Sequence, residues 1–112
     1  MSPHPAIARL RRLIALASVP APDPARVGAE PGVHVRAYGG VLELASIALE
    51  AGAGPTLAEL EAELGPWREL PRLPSPPYAI VAFDRPGRLA LFAHVDDFSR
   101  RAVELIVRRD RY

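Results

Sequence analysis

Three histidines and two adjacent aspartates are the side chains of this sequence with the clearest capacity for chemistry. His34 and His94 each alternate with apolar residues in a strand-like segment, and Asp96 follows His94 by two residues. Two imidazoles near a carboxylate could bind a metal ion or transfer protons. Their spacing matches no metal-ligand motif, and an aspartate at a strand end is typical of a turn, where it accepts hydrogen bonds from the following backbone. We therefore predict no metal site and no cofactor.

The other residues of the sequence form no motif for nucleophilic catalysis. None of the serines has a base at the spacing of a known motif, and the glycine pairs lack the lysine of a phosphate-binding loop. The chain has no cysteine, which excludes disulfides, thiolate zinc sites and cysteine nucleophiles. The sequence therefore favours a protein that is not an enzyme.

Aromatic and basic residues point instead to contact with another protein. The only tryptophan precedes a proline-rich run, Pro71–Pro77, that is typical of a polyproline II ligand or of a stiff connector. The C-terminal end is basic, but no aromatic residues are interleaved with its arginines, so we do not expect nucleic-acid binding. The predicted partner-binding residues are Trp67, Arg72, Arg100, Arg101, Arg108 and Arg109.

The composition bounds the class of protein. The chain has 112 residues, of which 49% are hydrophobic and 24% charged, and its formal net charge is +1. These values are typical of one soluble globular domain. All basic residues are arginine and 13 residues are proline, a bias expected from a GC-rich bacterial genome. No apolar stretch approaches the roughly 20 residues of a membrane span, and arginines interrupt the N-terminal segment where a secretory signal would be unbroken, so we expect a cytoplasmic location.

The scaffold that must position these residues begins with an amphipathic helix. Apolar residues recur at three- and four-residue steps between Ile7 and Ala17. Ser2 or His4 is placed to cap this helix at its N-terminus. The segment that follows, residues 20–32, is rich in proline and glycine and predicts an irregular connection.

A β-hairpin is predicted next. Apolar and polar residues alternate over Val33–Tyr38, which indicates a half-buried strand. Gly39 and Gly40 then supply the two residues of positive φ that a tight hairpin turn requires. Residues 41–49 fit either a strand or a helix by their apolar spacing, and the glycine turn favours the strand.

A second helix carries the strongest local signal in the sequence. Thr56 and Glu59 form a capping box, in which each side chain bonds the backbone amide of the other residue. Gly65 is placed to end this helix. A second proline-rich connection is predicted at residues 66–77.

Three further strands complete the prediction: Tyr78–Phe83, Leu89–Val95 and Ala102–Val107. Helices and strands then follow the order α-β-β-α-β-β-β. The most common packing for this order is an α+β fold with a single antiparallel sheet, here of about five strands, and both helices on one face. We expect one domain over residues 1–112.

Two functions are compatible with these observations. The first is a non-catalytic module that binds another protein in an immunity, inhibitor or biosynthetic-accessory role. The second is a small-molecule-binding protein or small enzyme, with a pocket between the sheet and the helices. That pocket would take its polar groups from His34, Tyr38, Tyr78, His94 and Asp96, and it requires the two histidines to lie within about 10 Å of each other.

Self-association is predicted through the last strand. Ala102–Val107 is the final predicted element, so we expect it at a sheet edge with unpaired backbone groups. Arginines flank this strand, but its middle is apolar and contains no proline. We therefore predict a homodimer in which these edges pair across a two-fold axis.

Overall fold

The computed structural model describes residues 4–71, 78–83 and 89–109, apart from the Tyr78 side chain. In chain order the elements are α1 (Pro5–Ala17), α2 (Pro24–Gly28), β1 (Val33–Tyr38), β2 (Val41–Ala48), α3 (Leu57–Leu64), β3 (Trp67–Glu69), β4 (Tyr78–Phe83), β5 (Leu89–Asp96) and β6 (Ala102–Arg109). The strands form a single antiparallel sheet in the order β1-β2-β6-β5-β4-β3. The predicted α+β fold is confirmed, with one strand and one helix more than expected.

The two additional elements lie inside the segments predicted to be connections. Within residues 20–32, Asp23 caps α2 by accepting a hydrogen bond from the Ala25 amide at 3.0 Å. Pro24 starts this helix, because proline is well suited to the first helical position, where its missing amide costs nothing. Within residues 66–77, the short strand β3 pairs with β4. Both elements differ from the predicted connections because the prolines of these segments lie at the ends of α2 and β3 or outside them.

The local signals elsewhere are confirmed. His4 caps α1 through a hydrogen bond from the Ala6 amide to its Nδ1. Gly39 and Gly40 have φ values of 58° and 78°, as the tight hairpin turn requires, and residues 41–48 form a strand. Both halves of the capping box at the start of α3 are present.

The last strand lies in the middle of the sheet, so the prediction that it forms an edge is wrong. β6 pairs with β2 on one side and with β5 on the other. Its backbone is therefore already paired along both sides, and it cannot join another copy as an edge strand. Its apolar residues reflect burial of a central strand. Among the described strands, β1 and β3 form the two edges.

One core joins the helices to one face of the sheet. Apolar residues of α1 and α3, such as Leu10 and Leu60, belong to the same buried cluster as Ile47, Ala93 and Leu105 from the strands. An exposed bidentate ion pair between Arg11 and Glu63 links α1 to α3. Within the described ranges, no helix is long and apolar enough to cross a membrane.

Candidate functional site

The face of the sheet that points away from the helices forms the candidate site. Side chains alternate between the two faces along each strand. On β5, Leu91, Ala93 and Val95 are at most 2% exposed in the core, whereas Phe92 between them is half-buried on the other face. The described helices contribute their apolar residues to the first face. We call the second surface the open face; its central residues are Leu44, Ser46, Ile80, Ala82, Ala90, Phe92, His94, Glu104, Ile106 and Arg108.

Strand register arranges the open face in rows. Ser46, Ile106, Phe92 and Ala82 lie side by side on four adjacent strands and form the middle row. Leu44, Arg108 and Ala90 form a second row towards the β1–β2 turn. Ala48, Glu104, His94 and Ile80 form a third row on the opposite side. The middle row is apolar except for Ser46, and the row on either side of it contains both apolar and charged residues.

Four of these side chains are large, apolar and half-buried. They come from four different strands and are neighbours only because the register aligns those strands. Since apolar area that remains in contact with water contributes little to folding, part of this surface gains stability only when another surface covers it. These residues are Leu44, Ile80, Phe92 and Ile106.

Two polar contacts border the apolar centre. His94 Nδ1 lies 3.2 Å from Glu104 Oε1 across the β5–β6 pair. The Arg108 guanidinium lies over the Phe92 ring, 5.0 Å from its centroid, within the range of a cation–π contact. Both contacts restrain polar side chains against the sheet. These side chains therefore lose less conformational entropy when a partner binds.

The structure does not bring the two histidines together. His34 lies on β1 and His94 on β5, three strand spacings apart in the sheet order, which corresponds to about 14 Å. Both lie outside the layer between sheet and helices, because apolar core residues fill that layer. The pocket required by the small-molecule alternative is therefore not formed by these two residues.

The other residues of that alternative are also dispersed. Asp96 accepts a hydrogen bond from the Ser99 amide at 3.0 Å, and hydrogen bonding from Ser99 lowers the pKa of its carboxyl below the usual value. This matches the turn role expected of such an aspartate. Tyr38 is 75% exposed beside the hairpin turn. The backbone of Tyr78 pairs with Asp96, and its side chain lies outside the described residues.

Several arginines predicted to bind a partner have intramolecular roles. Arg109 donates hydrogen bonds to the carbonyl oxygens of Ala17, Val19 and Pro20 and so closes the C-terminal end of α1. Arg101 donates to the Gly54 carbonyl at 3.0 Å. These two side chains serve the fold.

The remaining predicted partner-binding residues occupy separate places. Arg100 is exposed in the β5–β6 turn with a φ of 59°, and Arg108 lies on the open face. Trp67 is half-buried on β3 and packs against the core. Arg72 lies outside the described residues. Of the predicted partner-binding residues that the structure describes, only Arg108 lies on the open face.

Shallow cavities occur on the helix side of the molecule. One of about 320 Å³ lies between α1 and α2 and is lined by residues that include Leu16, Val19 and Val27. Another of about 200 Å³ is lined in part by Arg12 and Glu30, which form an ion pair at 2.8 Å. Neither contains a histidine in its lining.

Comparison with known proteins identifies no relative. No protein-family model matches the chain, and no curated protein and no solved structure matches it. Among residues 4–71, 78–83 and 89–109, no group of three or more histidine, aspartate or glutamate side chains is arranged to hold a metal ion. The geometry of the open face is therefore the basis on which a function can be assigned.

Proposed function

We propose that this chain is a non-catalytic protein-binding module and that the open face is its contact surface. The observation that supports this proposal is the group of four large apolar side chains, Leu44, Ile80, Phe92 and Ile106, half-buried together on one face of a regular sheet. Protein interfaces commonly combine an apolar centre with a polar rim. The open face has this arrangement.

The chemistry of the rim also favours a protein partner. Arginine and aromatic residues are enriched among the residues that dominate binding energy, and Arg108 and Phe92 are already stacked on each other. Six hydrogen-bonded strands fix the spacing of these groups. Binding would therefore cost little backbone entropy. The separation of His34 from His94 supports binding over acid–base catalysis by these residues.

A photo-cross-linking experiment tests this proposal. Phe92 is replaced by p-benzoylphenylalanine, which keeps an aromatic ring on the open face, and the variant is irradiated in cells that produce the protein. The matched control replaces Phe98, which is 93% exposed in the β5–β6 turn, in the same way. We expect a discrete protein adduct from position 92, mapped to one partner sequence by mass spectrometry, and no such adduct from position 98.

A second variant makes the result specific to the surface. Ile106→Asp places a charge in the centre of the open face and should abolish the adduct formed from position 92. The proposal fails if position 92 gives no discrete adduct. It also fails if position 98 gives the same adduct, because exposure rather than the open face would then determine cross-linking.

A further inference from the structure

We infer that the partner that fits the open face is a second copy of this chain, packed face to face about a two-fold axis at Ile106. This inference rests on the proposed function and names its partner. On the open face, the central strand β6 presents an acid, an apolar residue and a base at two-residue steps: Glu104, Ile106 and Arg108. Successive residues of this series are about 6.6 Å apart along the strand.

Two-fold symmetry makes this series complementary to itself. The two-fold axis lies in the interface, runs across the strands and passes through the position of Ile106. Rotation about this axis exchanges the two ends of the series. Glu104 then lies opposite the partner's Arg108, and Arg108 opposite the partner's Glu104. Two-fold interfaces require this kind of self-complementary surface. A carboxylate has acceptor sites for more than one donor, so Glu104 can keep its contact with His94.

The same axis also matches large residues with small ones on the neighbouring strands. On β2 it places Leu44 opposite the partner's Ala48, and on β5 it places His94 opposite the partner's Ala90. Ile106 and Phe92, in the middle row, meet their own counterparts. Facing sheets of this kind pack about 10 Å apart, with their strands within about 30° of each other. Because of this angle, opposing side chains are aligned best close to the axis.

Charge selects this axis over its main competitor. An axis parallel to the strands would place Arg108 opposite the partner's Arg108, and Glu104 opposite the partner's Glu104. Like charges brought together in a desolvated interface are strongly unfavourable. The axis across the strands is therefore the arrangement that the sequence of β6 supports.

The open face is large enough for such a dimer. Six strands at a spacing of about 4.8 Å make the sheet about 24 Å wide, and three adjacent strands within it, β2, β6 and β5, each contain eight residues. A face of this size is of the order of the roughly 800 Å² that each partner buries in a standard interface. This dimer differs from the predicted one, which needed a free β6 edge that the structure does not have.

Reversing the charges of Glu104 and Arg108 tests the inference. The measurement is sedimentation equilibrium of the purified protein from micromolar to millimolar concentration. We expect a monomer–dimer equilibrium for the unaltered chain. Glu104→Arg alone and Arg108→Glu alone should each weaken dimerisation by about tenfold or more, because each converts two attractive contacts into two repulsive ones. The double variant should regain most of the lost affinity. Glu61→Arg, a charge reversal at an exposed position of α3, should leave the affinity unchanged.

Recovery in the double variant separates pairing between copies from damage to one copy. Glu104→Arg loses the contact with His94, and Arg108→Glu loses the contact with Phe92. The double variant loses both contacts and restores neither. Thermal unfolding of each variant reports that loss independently. A mass near one chain at every concentration overturns the inference, and so does a dimer whose affinity is not recovered in the double variant.

The two proposals fail in distinguishable ways. If the purified chain stays monomeric while position 92 cross-links to a different protein, the second copy is excluded and the binding module remains. If the chain is monomeric and position 92 gives no adduct, both proposals are wrong.

Discussion

The two faces of the sheet are built from the same strands but differ in what covers them. On the helix side, Ala45, Ile47, Ala93 and Leu105 are at most 1% exposed. On the open face, the large apolar residues beside them in the sequence, Leu44, Phe92 and Ile106, remain half-buried, and charged side chains lie among them. The helix side is completed by the chain's own helices. The open face carries comparable apolar groups for which the described residues provide no such layer.

This difference separates residues that serve folding from residues that serve contact. Adjacent positions in one strand fall into opposite classes, because the side-chain period is two. Leu105 and Ile106 form one such pair, and Arg108 and Arg109 form another. Each pair has one residue on the helix side and a comparable residue on the open face. Substituting both residues of a pair therefore compares the two faces directly.

The largest difference is expected between Leu105 and Ile106. Leu105→Ala removes a side chain that is 1% exposed in the core and should lower the free energy of unfolding by about 2–5 kcal/mol. Ile106→Ala leaves a shallow notch open to water and should cost about 1 kcal/mol or less in the monomer. Urea unfolding, at a protein concentration low enough to keep the chain monomeric, measures both. Equal losses would mean that the open face is as well packed as the core.

A glycine contact provides the next test, at the connection that leads into α3. A Cβ atom on Gly54 would lie 1.9 Å from the Ala102 carbonyl oxygen, which belongs to the backbone of β6. Gly54→Ala should therefore destabilise the protein by about 3 kcal/mol. Gly28→Ala is the matched control, because a Cβ there would meet the Val35 side chain at an ordinary 3.4 Å. A small effect of Gly54→Ala in the same unfolding assay would show that this connection moves away from β6 at little cost.

A smaller contrast is expected between the two adjacent arginines. Arg109→Met keeps most of the apolar stem but removes the hydrogen bonds to the three carbonyls at the end of α1, at an expected cost of about 1–2 kcal/mol. Arg108→Met removes the exposed cation–π contact with Phe92, and its expected cost is smaller, about 0.5–1 kcal/mol. Thermal unfolding of the monomer ranks the two. The reverse order would show that Arg108 serves folding more than contact.

The smallest effect concerns acid stability, to which Glu59 at the start of α3 contributes. A hydrogen bond from the Thr56 amide holds the pKa of Glu59 below its ordinary value of 4.5. Because the folded-state pKa is lowered, the ionised carboxylate stabilises the fold above the ordinary value, and this contribution is lost as the pH falls through the folded-state pKa.

Glu59→Gln should therefore lower the unfolding temperature at neutral pH, and its difference from the unaltered chain should shrink at pH values well below 4.5. Glu61→Gln, on the exposed side of the same helix, should show no such convergence. A constant difference for Glu59→Gln at all pH values would assign the stabilisation to the shape of the side chain and not to its charge.

Local chemistry explains how much of the fold the sequence could predict. The capping box at Thr56, the double glycine at Gly39 and Gly40, and the alternation along β5 each depend on residues a few positions apart. All three predictions are confirmed. In α2, Pro24 starts the helix, but a proline in a segment rich in proline and glycine predicts a break as readily as a helix start.

Long-range placement is what the sequence could not supply. β6 could lie at an edge or in the centre with the same residues, because pairing with β2 depends on contacts about 60 positions away in the chain. The open face follows from that placement, since its rows exist only when four strands are aligned. Alternation along β5 predicts that His94 lies on the face opposite its apolar neighbours, but no local pattern predicts which strands lie beside it.

The claim that the open face is the contact surface is tested most directly by NMR of the isoleucine methyl groups at a series of protein concentrations. The five isoleucines of the chain include residues on both faces of the sheet. Ile80 and Ile106 lie on the open face, and Ile7 and Ile47 lie in the core. If the open face is the contact surface between copies, the Ile80 and Ile106 methyl resonances should shift or double as the protein is concentrated from micromolar to millimolar, while those of Ile7 and Ile47 stay constant. Unchanged Ile80 and Ile106 resonances, or changes confined to Ile7 and Ile47, would contradict the account.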